Sequence, residues 1–260
     1  MVSRPRTSRH TVDGSTFRVI SSPGPDPRVA SPLFVLVHGI GMSHRYLARL
    51  HEALSSTAPV ASVDLPGFAG LPKPEADHGV AEMADALAEL LARLADRPVV
   101  LVGHSMGAQW AVETARRHPA LVAHVVMIGP VADAARRSVR AQSLALALDS
   151  LVESPRANAI VFSDYLRCGV PWYLTQLRHM LAYRIEEAVT ELTVPCLVIR
   201  GGRDPVAGRE WCRRLRDATP RGALVEVPGR PHVVQDSAPD AIAEAILAHM
   251  TASLSHPGSR

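Results

Sequence analysis

The 260-residue sequence predicts an α/β fold, a mostly parallel central sheet with helices on both faces. Short, continuous apolar runs recur along the chain. Helical patterns separate them. A Gly-x-Ser-x-Gly pentapeptide stands where one of those runs gives way to a helix.

The apolar runs are Leu33–Val37, Val60–Val63, Val99–Val102, Ala123–Ile128, Cys196–Ile199 and Ala223–Val227. Runs of this length, apolar at every position, suit strands covered on both faces, as in a parallel sheet. Between them, Val80, Met83, Leu87, Leu90, Leu91 and Leu94 follow a helical stripe, with Glu82, Asp85, Glu89 and Arg93 off it. Ser105–His118 is helix-like and stops before Pro119. A last helix starts at Ser237 as N-cap, with Pro239 and Asp240 in its first turn, and the tail from Thr251 is expected to fray. Strands alternating with helices imply βαβ units. Near the N-terminus, Asp13-Gly14 between two short alternating runs signals a hairpin, hence an antiparallel pair at the sheet edge. From Val131 to about Thr190 no strand pattern appears, and Pro155, Gly169 and Pro171 interrupt helical spacing. The stretch is too long for an ordinary connection. The expected division is therefore a core of residues 1–130 and 191–260, with a helical insertion at 131–190 over one end of the sheet.

Composition narrows the function classes. Hydrophobic residues make up 47% and charged residues 20%, an ordinary folded balance. The net charge of +3 comes from scattered arginines, with Lys73 the sole lysine, so no nucleic-acid footprint is expected. Cys168, Cys196 and Cys212 form no C-x-x-C pair and are odd in number, which argues against a disulfide framework or a zinc site. No apolar run follows the basic start and none reaches 18 residues, so neither a secretory signal nor a membrane span is expected, and the expected location is cytoplasmic.

The chemistry centres on Gly103-His104-Ser105-Met106-Gly107. A serine between two such glycines, at a strand-to-helix junction, sits on a sharp turn with its hydroxyl pushed outward. It needs a base to become nucleophilic. A histidine serving as that base is oriented in turn by a carboxylate. Asp204, in Gly201-Gly202-Arg203-Asp204-Pro205, and His232, in Gly229-Arg230-Pro231-His232, each come just after an apolar run, at the end where open α/β sheets place their sites. Asp133 is the rival acid. The His38-Gly39-Ile40-Gly41 loop, with the helix start after the serine, offers an oxyanion hole from the Ile40 and Met106 amides. His38 is expected to hold its loop and His104 to pack beneath the turn.

H-G-I-G at 38–41, D-L-P-G-F at 64–68, G-H-S-M-G at 103–107, G-G-R-D at 201–204 and P-H at 231–232 together resemble the α/β-hydrolase superfamily, in particular its serine esterase and C–C hydrolase-like branches. The resemblance runs from about residue 30 to 250. It implies the α/β-hydrolase fold, with 131–190 as a helical cap shaping the pocket. It also implies covalent catalysis, with Ser105 as nucleophile, His232 as general base and Asp204 orienting it, and no metal or other cofactor. The expected substrate is a small-molecule carboxylic ester, thioester or lactone. C–C bond hydrolysis, or lyase, cyclase or perhydrolase chemistry on the same triad, is the enzymatic alternative, and a non-catalytic ligand-binding protein the other. His38, Gly39, Trp172 and Tyr173 are the candidate pocket residues, and Tyr165 and Tyr183 share the aromatic role.

Overall fold

In the computed structural model, which describes residues 4–25 and 31–255, eight strands form one sheet in the order β1-β2-β4-β3-β5-β6-β7-β8. The strands β1 (Arg6–Val12) and β2 (Ser15–Ser22) make the hairpin that Asp13-Gly14 signals, and β2 also runs antiparallel to β4 (Val60–Asp64). From β4 onward all neighbours are parallel: β3 (Phe34–Val37), β5 (Val99–His104), β6 (Val122–Ile128), β7 (Cys196–Gly201) and β8 (Gly222–Val227).

Alternation along the strands builds two cores, one on each face. Val35 and Val37 pack toward Leu87 and Leu90 of α2 (Val80–Leu94) and Trp110 of α3 (Met106–Arg117). Phe34 and Leu36 belong with Leu50 and Leu54 of α1 (Ala48–Ser55) and with Ile242 and Ile246 of the C-terminal helix. A parallel strand covered on both sides has no polar face to show in its sequence, which is why these runs are apolar at every position.

Between β6 and β7 the chain leaves the sheet. After a short 3-10 turn it forms α4 (Val139–Ser150), α5 (Pro155–Cys168), α6 (Val170–Ala182) and the one-turn α7 (Ile185–Ala188). Ser138 and Ser154 cap α4 and α5, accepting from the Ala141 and Ala157 amides. Helix α8 (Arg209–Ala218) separates β7 from β8, and the one-turn α9 (Val234–Ser237) precedes α10 (Pro239–Ser255).

Three details differ from expectation. Helix α1 has no counterpart in the sequence pattern, because eight residues are too few to establish a period. Ser237 ends α9 and its hydroxyl has no partner, so it does not cap α10, which Pro239 opens. The tail does not fray at Thr251: α10 continues through Ser255. The three cysteines are buried free thiols. Among the described residues no helix is long and apolar enough to cross a membrane.

Candidate active site

The carboxyl ends of β5, β7 and β8 deliver the three side chains singled out above. Ser105 stands between the end of β5 and the start of α3 with φ 57° and ψ −123°, a backbone state that costs a non-glycine residue of order 1–3 kcal/mol. Its amide donates to the Ile128 carbonyl at 2.9 Å, which anchors the turn to β6. The flanking glycines are required by close approach. A Cβ at Gly103 would lie 2.1 Å from the Gly107 carbonyl oxygen, and one at Gly107 would lie 2.5 Å from that of Val37.

Asp204 is fully buried and uses both carboxylate oxygens. Oδ1 accepts from the amides of Val206 and Ala207 at 2.8 and 2.9 Å, and Oδ2 accepts from His232 Nδ1 at 2.9 Å. Those amides orient the carboxylate without making it a helix cap; the residue before α8 is Gly208. Arg200 ties the same loop down through the carbonyls of Ala207 (2.9 Å) and Asp204 (3.2 Å). Burial pushes the Asp204 carboxyl upward, but the His232 charge and hydrogen bond, with the two amides, hold it below its usual value. Asp133, the rival, is engaged elsewhere, accepting from the Ala135 amide and Arg214 at 3.0 and 2.7 Å.

His232 is 3% exposed. With Nδ1 donating to Asp204, its Nε2 is left as the acceptor, and that atom is buried with no hydrogen-bond partner. Ser105 and His232 line the same cavity, of about 280 Å³, but no hydrogen bond joins them. Such contacts are often long in unliganded sites and tighten on substrate. Burial drives the imidazole pKa down. The Asp204 charge and hydrogen bond, then the charges of Asp149 and Glu153, outweigh it and bring the ring to about 9.

The loop of residues 38–41, the candidate oxyanion hole, is organised by buried side chains. His38 Nε2 accepts from the Leu65 amide (3.1 Å) and Nδ1 donates to the Gly39 carbonyl (2.8 Å), so this ring holds its loop and lies outside the cavity. The Gly39 amide donates to Tyr46 Oη at 2.6 Å. Tyr46 pairs in turn with His104 Nδ1 at 2.8 Å, and His104 Nε2 reaches the His232 carbonyl at 3.0 Å. Burial holds the His104 pKa at about 3, so the ring stays neutral and can accept at Nδ1 and donate at Nε2. The amides of Ile40 and Met106 make no hydrogen bond among the described residues, which leaves both available to a ligand.

Gly39, Ile40, Tyr165 and Tyr173 line the cavity, and the two tyrosine rings meet edge to face at 5.2 Å. Trp172 does not line it; it packs on Phe68 (6.0 Å between centroids) and against Gly67. Tyr183 donates to Glu113 at 2.8 Å. Sequence reasoning missed Tyr46, Asp149, Glu153 and Arg200. A carboxylate at the end of one helix carries no local signature of a contact made 83 residues away.

The model of the "Alpha/beta hydrolase family" matches residues 34–245. A Mycobacterium tuberculosis protein is 32% identical over 129 residues, and the match spans 49% of this chain and only about a third (36%) of that protein's length. The 2-(acetamidomethylene)succinate hydrolase of Mesorhizobium japonicum is 26% identical over 84% of this chain and 87% of its own. The enol-lactonase of Burkholderia xenovorans LB400 superposes with a TM-score of 0.79, at 20% identity, over 94% of this chain and all of that one (100%). With the family pattern covering most of the chain, on a sheet of this order and around a serine turn of this geometry, the protein belongs to the alpha/beta hydrolase family.

Proposed function

We propose that this protein is a serine hydrolase that cleaves a carboxylic ester or lactone through an acyl-enzyme on Ser105. One observation carries the reading. A serine on a strained strand–helix turn shares a cavity with an imidazole whose Nδ1 is held by a buried carboxylate and whose Nε2 is unpartnered. That is the arrangement a general base needs.

In the proposed reaction His232 Nε2 takes the Ser105 proton as Oγ attacks the carbonyl carbon. The oxygen's developing charge falls to the Ile40 and Met106 amides. The resulting imidazolium, stabilised by Asp204, returns its proton to the departing alkoxide. Water then attacks the acyl carbon, giving its proton to His232, which passes it to the departing Ser105 Oγ as the acid is released. Helices α4 to α6 act as the cap, contributing Leu146, Tyr165 and Tyr173 to the acyl-binding wall. Among the described residues the cavity lining contains no lysine or arginine, which favours a neutral acyl compound over a dicarboxylate.

The test is labelling with a fluorophosphonate probe together with turnover of p-nitrophenyl esters of graded chain length. Labelling and turnover that both disappear in Ser105→Ala are expected. Ester turnover that survives in Ser105→Ala would overturn the reading.

A further inference from the structure

The amides of His232 and of the next residue are both held by carboxylates that come from outside the sheet. The His232 N–H donates to Asp149 Oδ1 at 2.8 Å, and the Val233 N–H donates to Glu153 Oε1 at 2.6 Å. Asp149 lies in the last turn of α4 and Glu153 in the connection to α5, so one helix end grips two successive amides of the loop that carries the imidazole. Just beyond, Arg156 of α5 pairs with Asp236 of α9, and Arg49 donates to the Asp236 carbonyl at 3.1 Å. The loop is thus fastened to the helical segment at His232 itself and again at Val233 and Asp236 beyond it. Asp149 is 4% exposed, and both carboxylates line the cavity beside Ser105.

We propose that Asp149 and Glu153 are positioning residues that clamp the His232 loop to the helical segment and supply a second source of negative charge to the imidazolium formed in catalysis. The proposal rests on the serine-hydrolase reading above.

The charged and titratable groups facing the ring come from three directions. Asp204 approaches from the end of β7, His104 from the end of β5 with ring centroids 4.7 Å apart, and Asp149 and Glu153 from α4 and its exit. His104 is neutral, so the carboxylates alone set the field. The charge of Asp149 also bears on Glu153 and pushes its carboxyl up. Burial raises both, and it lifts Glu153 to about 7 against the pull of the Val233 amide. Glu153 therefore holds its proton below neutrality and gains a charge as that proton leaves. Its added charge holds the proton on His232 to higher pH than Asp204 alone would. An amide in place of either acid keeps a carbonyl oxygen to accept from the loop but removes the charge. Truncation to alanine removes both.

The variants Asp149→Asn, Asp149→Ala, Glu153→Gln and Glu153→Ala separate clamp from charge. The readouts are the pH profile of kcat/KM for a p-nitrophenyl ester and the His232 ring titration followed by NMR, which needs no substrate. In Asp149→Asn and Glu153→Gln the midpoint of the rising limb and of the ring titration is expected to move down by about one pH unit. In Asp149→Ala kcat is expected to fall at least tenfold with KM nearly unchanged, and Asp149→Asn to restore it. Midpoints unmoved in both amide variants, or alanine variants that lower kcat no more than the amides do, would overturn the proposal. If the parent labels with the probe and hydrolyses esters while the midpoints stay fixed, this proposal fails and the hydrolase reading stands. If the parent does neither, the hydrolase reading fails, and the NMR titration still decides whether these acids set the His232 pKa.

Discussion

His104 and His232 are joined by a hydrogen bond from the His104 ring to the His232 carbonyl, Nε2 to O, at 3.0 Å. One histidine belongs to the serine turn and the other to the candidate base loop. Tyr46 extends the link to the Gly39 amide, so the serine turn, the loop of residues 38–41 and the His232 loop share one buried chain of hydrogen bonds.

Removing the phenol in Tyr46→Phe leaves the Gly39 N–H and His104 Nδ1 buried without partners. Each orphaned group costs about 1–3 kcal/mol. Urea denaturation is expected to show a loss of about that size, and ester turnover a kcat reduction of about tenfold at similar KM. An unchanged midpoint with unchanged kcat would show that the chain of bonds has no role.

The pH dependence follows from His232. Its Nε2 must be unprotonated to take the serine proton, and its pKa in the free protein is raised to about 9. The kcat/KM for esters is therefore expected to rise through pH 7 and 8, reach half its plateau near pH 9 and level about one unit above that. Stability runs the other way. A pKa raised from 6.5 to about 9 on folding contributes stability that is complete below 6.5 and is lost as pH climbs through 9. Asp204→Asn removes the largest upward influence, so it should shift the activity limb to lower pH and reduce kcat by about 10⁴-fold. Thermal unfolding and rates measured from pH 6 to 10 check both trends.

Gly129 follows β6 with φ 55°, and a Cβ there would lie 2.9 Å from Cε1 of His232 and 3.3 Å from Asp204 Oδ2. Gly129→Ala is expected to displace the imidazole and lower kcat by about 10²-fold, the scale of a misplacement near 1 Å. Rates comparable to the parent enzyme would mean that the ring tolerates the shift.

The strain at Ser105 predicts a gain in stability when it is relieved. Ser105→Gly, which removes the Cβ at φ 57°, should raise the unfolding free energy by about 1 kcal/mol while abolishing probe labelling. A denaturation midpoint below that of the parent would count against strain at this position.

Charge selection can be read from matched substrates. With no lysine or arginine among the described residues of the lining and with Asp149 and Glu153 within it, a neutral ester should be preferred over its ω-carboxylate analogue by at least about tenfold in kcat/KM. A dicarboxylate that is turned over faster would contradict this.

The sequence by itself determined the strands, their parallel arrangement and the positions of Ser105, Asp204 and His232. These rest on local rules. A strand buried on both faces is apolar throughout, and a tight strand-to-helix turn demands Gly103 and Gly107. The tertiary structure alone decided which aromatic residues reach the cavity, Tyr165 and Tyr173 rather than Trp172, and that Tyr46, Asp149 and Glu153 meet the site at all. Helix α4 shows why. It exposes Leu144 and Leu148 while turning Leu146 and Asp149 toward the cavity, so its apolar residues mark no single inner face. Contacts across 58 to 83 residues depend on how helices lie over the sheet, and neither spacing nor composition carries that information.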